Sequence, residues 1–162
     1  MPLATIDADG VPFILRRAAR DHLPALIDLI AADALRANDD SSAPEHRARY
    51  EAAFEAIDRD PAHTLVVAQD ADGVVVGTMQ LTLIPGLARG GALRMQVEAV
   101  RVGESARGLG LGSAMMRWAI DEARVSGAAL VQLTSDVRRD SAHRFYERLG
   151  FEATHVGFKL FL

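Results

Sequence analysis

Apolar residues in the first third of the chain recur at helical spacing and predict two helices. The first begins near Asp21, has Pro24 in its first turn and follows a short strand, PFILRRA. Its buried face is predicted to contain Leu23, Leu26, Ile27, Ile30, Ala31 and Ala34. After the polar break NDDSSAP, Ser42 and Glu45 have the spacing of a capping box for the second helix. That helix is predicted to bury Tyr50, Ala53, Phe54 and Ile57.

The pattern then changes to the two-residue period of β-strands. HTLVVAQ and VVVGTMQLTLI flank a turn at residues 70–73 and predict a hairpin. In the second run Thr78, Gln80 and Thr82 alternate with apolar residues, which predicts one polar face.

The strand predicted over residues 94–102 contains an irregularity. Met95, Val97 and Ala99 keep one phase of the alternation, whereas Val100 and Val102 take the other. A slip of one residue is typical of a β-bulge. A strand buried on both faces gives the same letters, because such a strand need not alternate. The pattern alone leaves both interpretations open.

The last third predicts a helix with Leu111, Met115 and Trp118 on one face, a strand at ALVQLTSD and a further helix. Asp140 or Ser141 is the predicted cap of that further helix, and Gly150 is suited to its C-terminal end. FEATHVGFKLFL is predicted to form one or two strands. The element order predicts an α+β fold: an antiparallel meander followed by a right-handed parallel crossover.

Composition narrows the class of protein. The chain has 162 residues, 49% of them hydrophobic, which is suited to one domain over residues 1–162. The net charge of −4 argues against nucleic acid as a partner, and the lack of cysteine excludes disulfides and a thiolate nucleophile. The chain has no apolar run of the ~20 residues that a membrane span needs and no secretory signal at its start. Together these features predict a cytoplasmic protein with no membrane partner. The five histidines are scattered, so we also expect no metal site.

The segment VRVGESARGLGLGSAMM has three glycines in five positions directly before a helix. Such a loop exposes main-chain N–H groups at a helix N-terminus, where anions and phosphates bind, and Arg107 adds a positive charge. A phosphate-binding P-loop is excluded because its lysine is absent. A dinucleotide-binding turn, with Asp136 after the next strand, remains the competing interpretation, although only one parallel crossover is available for it.

Two segments resemble the GNAT superfamily of N-acetyltransferases. Arg107, Gly110 and Gly112 match its Arg/Gln-x-x-Gly-x-Gly/Ala pattern, and SAHRFYERLGF matches a later signature at Ala142, Tyr146, Gly150 and Phe151. The resemblance implies the GNAT acyl-CoA N-acyltransferase fold. That fold is a mixed, mostly antiparallel sheet with helices on both faces and a central parallel pair of strands splayed at a bulge.

The resemblance also implies acetyl-CoA as cosubstrate. Its pantetheine arm would pair with backbone groups of Val100, Arg101 and Val102 in the splayed gap. Its pyrophosphate would lie on Arg107, Gly108, Leu109, Gly110, Leu111, Gly112 and Ser113, and Ala142 and Tyr146 would line the cofactor side. Arg139 replaces an asparagine frequent in the family, and it either contacts a CoA phosphate or is simply solvated.

The implied reaction is direct attack of a primary amine on the thioester. Tyr146 would donate a proton to the departing sulfur, although its ring also fits a core stripe with Phe145 and Leu149. Glu98 would act as the base through water, although a solvated glutamate fits the same position. A backbone N–H near Val102 would stabilise the carbonyl oxygen. His63 and His143 are lesser candidates for the base.

The acceptor side is predicted to involve the first two helices, the loop IPGLARGG and the C-terminal strands. The acceptor is expected to be a small-molecule or peptide amine. Arg89 and Arg94 would suit one bearing a carboxylate, whereas an acidic pocket would suit a polyamine. The alternative function is a non-catalytic acyl-CoA-binding sensor or assembly module. The apolar run VGFKLFL can pair or exchange at a sheet edge, which makes a homodimer possible.

Overall fold

The computed structural model describes residues 1–33 and 40–162. Within these ranges the strands are β1 Pro2–Ala8, β2 Val11–Arg17, β3 His63–Gln69, β4 Val75–Ile84, β5 Arg94–Val102 and β6 Leu130–Leu133. The helices are α1 Leu23–Ala31, α2 Arg47–Arg59, the kinked single turn α3 Ala88–Gly91, α4 Leu111–Val125 and α5 Asp140–Arg148. Within residues 1–33 and 40–162, every helix is too short or too polar to span a lipid bilayer.

The six strands form one sheet in the order β1-β2-β3-β4-β5-β6. All neighbours are antiparallel except β5 and β6, which run parallel and are joined through α4. The predicted meander and parallel crossover are therefore confirmed. The hairpin between β3 and β4 is also confirmed, with Asp70 Oδ1 accepting from the N–H groups of Asp72 and Val74.

Strand β1 has no counterpart in the sequence predictions. It pairs with β2 across a two-residue turn in which Asp9 and Gly10 have φ angles of +51° and +88°. The dipeptide Asp-Gly, here Asp9 and Gly10, is the usual signal for such a turn. The missed strand carries Asp9 toward the start of α4.

Helices cover both faces of the sheet, as predicted. Leu111, Ala114, Met115 and Met116 of α4 are buried in a cluster with β-strand residues on one face, and α5 packs its apolar stripe against the same cluster. On the other face Leu23, Leu26 and Ile27 of α1 join Phe54 of α2 and Val67 of β3. The sheet therefore lies between two hydrophobic layers. Ala34, predicted for the α1 face, lies outside the described residues.

The polar face predicted for β4 is wrong at Thr78. This side chain is buried, and its hydroxyl donates a hydrogen bond of 2.9 Å to the carbonyl of Val66. Residues 76–79 are all buried because helices cover the strand on both sides here. Gln80 and Thr82, nearer the strand end, are partly exposed as predicted.

Two predicted helix caps are also wrong. A 3₁₀ turn, Pro44–His46, precedes α2, whose N-cap is His46 with no side-chain cap. Ser42 and Glu45 therefore do not form a capping box, and it is Ser41 Oγ that accepts a hydrogen bond, from Ala43 N–H. In α5 the N-cap is Arg139, which makes Asp140 the first helical residue.

The chain end departs most from prediction. Residues 151–162 form neither helix nor strand, so β6 is the last strand of the sheet. The parallel pair β5–β6 is consequently at the edge rather than at the centre. Alternation shows that a segment is suited to pairing, but it does not supply the neighbouring strand.

Candidate functional site

Strand β5 contains the β-bulge that was one of two interpretations of its sequence. In the pairing with β4, Gln80 lies opposite Glu98 and Thr78 lies opposite Arg101. Ala99 and Val100 therefore face the single residue Met79, and Ala99 has a φ of +52°. The extra residue shifts the alternation, so that Val100 and Val102 return to the apolar layer that contains Met95 and Val97.

Beyond the bulge β5 separates from β6. The parallel pairing runs from Arg94 with Leu130 to Val97 with Leu133 and ends there, although β5 continues to Val102. The edge of residues 98–102 that faces away from β4 has no strand beside it in the described part of the chain. We name this opening the β5–β6 gap.

Two carbonyls at the β5–β6 gap accept hydrogen bonds from arginines. Val100 O accepts from Arg101 Nη1 at 2.9 Å, and Val102 O accepts from Arg107 Nε at 3.4 Å. Alternate residues of a strand direct their backbone groups to the same edge. The acceptors that were predicted to pair with a pantetheine arm are thus accessible to N–H donors.

The glycine-rich turn leads directly from the gap into α4. A 3₁₀ turn, Glu104–Ala106, buries Ala106, and Gly108 and Gly110 then adopt φ angles of +78° and +73°. Gly110 is the N-cap of α4 without a side-chain cap, and the first helical bond runs from Ala114 N–H to Gly110 O. The N–H groups of the first turn therefore have no bonding partner within the helix.

The three glycines of this turn have different roles. A Cβ on Gly110 would lie 2.5 Å from Oδ2 of Asp9, which reaches the turn from the β1–β2 hairpin. A Cβ on Gly112 would meet Phe145 and Val102 at an ordinary 3.6 Å. Backbone conformation thus requires glycine at 108 and 110, whereas Gly112 lies within the helix at a position with room for a methyl group. Leu109 is exposed and Leu111 is buried.

Tyr146 of α5 lies between the apolar layer under α4 and the two arginines Arg101 and Arg139. Its ring packs against Phe145 and Phe151 with centroid separations of 5.1 and 5.9 Å. Burial raises the pKa of its phenol above the ordinary 10.0, while the charges of Arg101 and Arg139 act in the opposite direction. The hydroxyl is therefore protonated, and able to donate, throughout the neutral range.

Asp33 joins three elements that are distant in the sequence. Its carboxylate, 6% exposed, accepts from Arg101 of β5 at 2.7 Å and from Arg139, beside α5, at 2.5 Å. Arg139 is 28% exposed and ion-paired, so the expectation that it is simply solvated is wrong; its contact with a CoA phosphate stays a prediction. Sequence reasoning missed Asp33, because nothing local marks a partner 68 and 106 residues away.

Glu98 is exposed on the sheet face that also carries Arg101. Neighbouring polar side chains on this face are linked: Gln132 Nε2 donates to Gln96 Oε1 at 2.8 Å, and His63 Nδ1 lies 2.8 Å from Thr82 Oγ1. The predicted base thus belongs to a polar surface beside the bulge, on the opposite side of the strand from Met95 and Val97.

The remaining candidate residues either lie away from Tyr146 and the β5–β6 gap or already have hydrogen-bond partners. The carboxylate of Asp136 binds the guanidinium and the N–H of Arg138, which hold its pKa far below the usual value. His143 Nε2 lies 2.9 Å from the carbonyl of Asp136. Ala142 is half-buried on α5, and Arg89 is in the exposed turn α3. Within the described ranges, no three His, Cys, Asp or Glu side chains are grouped as metal ligands.

The class of protein is defined by three features together: the bulge in β5, the parallel strand β6 that separates from β5, and the glycine turn that begins α4. The family model of the GNAT acetyltransferases matches residues 25–151. The chain therefore belongs to the GNAT acetyltransferase family.

Two curated relatives are N-acetyltransferases. The chain is 44% identical over 52 residues to the aminoalkylphosphonate N-acetyltransferase of Salmonella typhimurium, a match covering 32% of the chain and 34% of that enzyme. It is 36% identical over 90 residues to the glucosamine 6-phosphate N-acetyltransferase of Trypanosoma brucei brucei, covering 56% and 59%. The matched stretches thus span about a third and somewhat over half of the curated relatives.

Solved structures resemble the whole sheet and its helices. A protein from Bacillus halodurans C-125 described as a transcriptional regulator has a TM-score of 0.88 and 36% identity, with 93% of this chain and 99% of that chain covered. An acetyltransferase from Trypanosoma brucei has a TM-score of 0.75 and 26% identity, with 93% and 99% covered.

Proposed function

We propose that residues 1–162 form one catalytic domain that transfers an acetyl group from acetyl-CoA to a primary amine. The observation that carries the proposal is the bulge at Ala99, which opens the β5–β6 gap immediately before an uncapped helix start. A narrow slot for an amide-containing arm and an anion-binding turn for a diphosphate are thereby contiguous in the chain.

The residues present fit acetyl-CoA. In the proposal, the backbone groups of Val100 and Val102 that face the gap pair with the pantetheine amides, and residues 107–113 hold the pyrophosphate. Gly110 supports this assignment because its φ of +73° is a conformation that glycine adopts readily, and because it starts α4 without a side-chain cap. The cosubstrate supplies a thioester, which is an acetyl group already activated for attack by an amine.

The chain's own groups perform three further tasks in the proposal. An N–H near Val102 stabilises the carbonyl oxygen as negative charge develops there. Tyr146 donates its phenolic proton to the departing sulfur, a role supported by the raised pKa that keeps the phenol protonated. Glu98 accepts a proton from the ammonium form of the acceptor through water, because a free amine of this kind has a pKa of ~10.4.

For the acceptor we propose an amine that also bears an anionic group, phosphonate, phosphate or carboxylate. Arg101 and Arg139 border the β5–β6 gap on the face that carries Glu98, where a second substrate would approach the thioester. Guanidinium forks are suited to such oxyanions. The names of the two curated relatives, one acting on an aminoalkylphosphonate and one on glucosamine 6-phosphate, support the same class.

The second candidate is a non-catalytic acyl-CoA sensor, and one observation favours it. The structure with a TM-score of 0.88 belongs to a protein described as a transcriptional regulator. A sensor needs the glycine turn and the gap but has no use for a buried phenol or a base beside them. The net charge of −4 also opposes direct contact with nucleic acid.

The experiment is a thiol-release assay with acetyl-CoA, paired with CoA-binding calorimetry on the same sample. The acceptors are matched pairs: 2-aminoethylphosphonate with propylamine, and glucosamine 6-phosphate with glucosamine. β-Alanine, spermidine and a peptide with a free N-terminus complete the panel. We expect kcat/KM for the anionic member of at least one pair to exceed that of its neutral partner by about tenfold or more, or about 1.4 kcal/mol.

Arg139→Gln is the test variant for the anionic group, and Arg138→Gln is its matched control, because Arg138 is the adjacent arginine and pairs with Asp136 rather than with the buried Asp33 that also binds Arg101. Arg139→Gln is expected to abolish the preference within the pair, and Arg138→Gln to preserve it. If Arg139 instead holds a CoA phosphate, its loss weakens CoA binding equally for every acceptor. Calorimetric binding without turnover on the whole panel favours the sensor, and no CoA binding rejects both functions.

A further inference from the structure

Asp33 is a buried carboxylate to which the proposed chemistry gives no task. It directly follows Ala32, the C-cap of α1, and its side chain is only 6% exposed. The C-terminal end of a helix carries partial negative charge from its carbonyl groups, so a carboxylate is locally unfavourable there. Burial adds the cost of removing the charge from water. Contacts with other parts of the chain must therefore explain the position of Asp33.

Two arginines that are distant in the sequence compensate this charge. Oδ2 of Asp33 accepts a hydrogen bond from Nη2 of Arg101 at 2.7 Å and another from Nη2 of Arg139 at 2.5 Å. Nη1 of Arg101 also donates to the carbonyl of Val100 at 2.9 Å. A guanidinium group is planar and its donors form a rigid fork, so a bond at one nitrogen restricts the direction of the others. Asp33 thereby orients both guanidinium groups beside the β5–β6 gap.

The bulge at Ala99 brings Arg101 to Asp33. Because of the bulge, Val100 and Val102 return to the apolar layer under α4. Successive side chains of a strand point to opposite faces, so Arg101, which lies between these valines, is directed to the other face of the sheet. That is the face on which α1 packs. The irregularity that opens the gap therefore also places the arginine within reach of the carboxylate.

The same two guanidinium groups are the charges that act on the phenol of Tyr146. Arg139 is the N-cap of α5 and precedes Tyr146 by about two helical turns, so both lie near one side of that helix. Arg101 acts from β5, and both positive charges oppose the rise in the pKa of the phenol that burial causes. The ring neighbours Phe145 and Phe151 carry no charge, and the residues of α4 and of the strands in the same cluster are apolar.

The remaining charged groups of β5 and α5 are exposed, distant or bound elsewhere. Glu98 is exposed, and Arg94 is at the opposite end of β5 from Arg101. Nε2 of His143 lies 2.9 Å from the carbonyl of Asp136. The other charged residues of α5 are exposed: Asp140, Arg144, Glu147 and Arg148. Among the described residues, Asp33 is thus the carboxylate that contacts both arginines.

We propose that Asp33 is a positioning residue of the transfer reaction: its carboxylate holds Arg101 and Arg139 at the β5–β6 gap and balances their charge beside Tyr146. A buried ion pair adds little net stability, because desolvation offsets the attraction, so its contribution here is orientation and charge balance. With part of the positive charge compensated, the phenol keeps the proton that it donates. The role in the reaction rests on the proposed function, whereas the link from Asp33 to Tyr146 can be measured without turnover.

The test is a spectrophotometric titration of Tyr146 in the full chain. The chain has two tyrosines, so Tyr50→Phe leaves Tyr146 as the single phenol whose ionisation is observed. In this background Asp33→Asn removes the charge and keeps the shape of the side chain. The pKa of Tyr146 should fall by about 0.5 unit or more, because uncompensated positive charge favours the phenolate. The matched control is Asp121→Asn, an exposed aspartate paired with Arg124 on α4, which should leave the pKa unchanged.

A double substitution keeps the test decisive if Asp33→Asn alone does not fold. Circular dichroism over the same pH range shows which variants remain folded. Arg139→Gln should raise the pKa of Tyr146, and Asp33→Asn with Arg139→Gln should return it toward the value of the parent, because one charge of each sign is removed. An unchanged or raised pKa in Asp33→Asn overturns the proposal, as does a double variant with the same pKa as Arg139→Gln.

The pH dependence of kcat connects this link to the reaction. With the best acceptor of the panel, the alkaline decline of kcat in Asp33→Asn should begin at a lower pH than in the parent, by the shift that the titration measures. A shifted titration with an unmoved kcat profile overturns the positioning role. Absence of transfer to every acceptor rejects the proposed function instead, and the titration still decides whether Asp33 controls the phenol.

Discussion

Gly110 combines two constraints at the start of α4. Its φ of +73° lies in the left-handed region, and the carboxylate of Asp9 occupies the space that a side chain would need. Gly127, at the other end of α4, has φ +74°, but a Cβ added there would have no atom within 4 Å. The two glycines share the backbone constraint and differ in their surroundings, which makes them a matched pair.

Gly110→Ala and Gly127→Ala should both destabilise the fold by about 1–2 kcal/mol, because each forces alanine into the left-handed region. Only Gly110→Ala should also weaken CoA binding, by roughly tenfold or more, since its methyl group collides with the carboxylate of Asp9 and perturbs the turn on which the proposal places the pyrophosphate. Thermal unfolding and CoA calorimetry on both variants check this. A similar loss of CoA affinity in both would show that the effect is a general consequence of instability.

Tyr146 is a core aromatic and, in the proposal, a proton donor. The same burial that packs its ring raises the pKa of its phenol, so the two roles support each other. Tyr50, the other tyrosine of the chain, donates its hydroxyl to Asp40 between α1 and α2. Tyr50→Phe therefore removes a phenol between α1 and α2 rather than beside Arg101 and Arg139, and it serves as a comparison for kcat.

Tyr146→Phe should lower kcat by about 10²-fold or more, the usual contribution of a positioned acid, with little change in CoA affinity. Because the raised pKa keeps the phenol protonated, the wild-type rate should not decline through Tyr146 ionisation below pH 10.0. A pH–rate profile of both proteins, with Tyr50→Phe beside them, measures this. An unchanged kcat in Tyr146→Phe removes the residue from the chemistry.

At the scale of elements, β5 was predictable because a bulge leaves a local trace. The slip between Ala99 and Val100 in the apolar pattern is the slip found in the pairing register with β4. Its interpretation was ambiguous, because a strand buried on both faces gives the same letters. The pairing register between β4 and β5 and the positive φ of Ala99 show that the strand has a bulge. The pattern of apolar positions could not distinguish the two interpretations.

Other elements were mispredicted where the outcome depended on a neighbour. Residues 152–162 alternate like a strand but pair with no strand in the part of the chain that the structure describes. Thr78 alternates like a surface residue but is covered by a helix layer. The capping box at Ser42 failed because a 3₁₀ turn starts the helix later. In each case the local signal was present and the tertiary surroundings determined the result.

At the scale of the molecule, one sheet is shared by two hydrophobic layers. Leu26 belongs to the layer with α1 and α2, and Met116 belongs to the layer with α4. Both are almost completely buried, at 2% and 0% exposed. Since the sheet is packed between these layers, disruption of either layer should affect the whole sheet.

Leu26→Ala and Met116→Ala should each cost about 2–5 kcal/mol and lower the temperature of a single unfolding transition. One transition is expected because the proposed domain over residues 1–162 has no layer that can unfold separately. Differential scanning calorimetry at fixed protein concentration measures both effects. Two separate transitions, each sensitive to one substitution, would divide the chain into independent units.

Local sequence patterns were sufficient to predict the order of most helices and strands, the glycine turn and the resemblance to the family to which the chain belongs. These features follow from local periodicity and backbone freedom, which short stretches of residues encode. Only the tertiary structure brought Asp33 to Arg101 and Arg139, placed Asp9 against Gly110 and left residues 152–162 unpaired with any strand of the described ranges. Such contacts join residues tens of positions apart, and they depend on how complete elements pack rather than on the letters of any one segment.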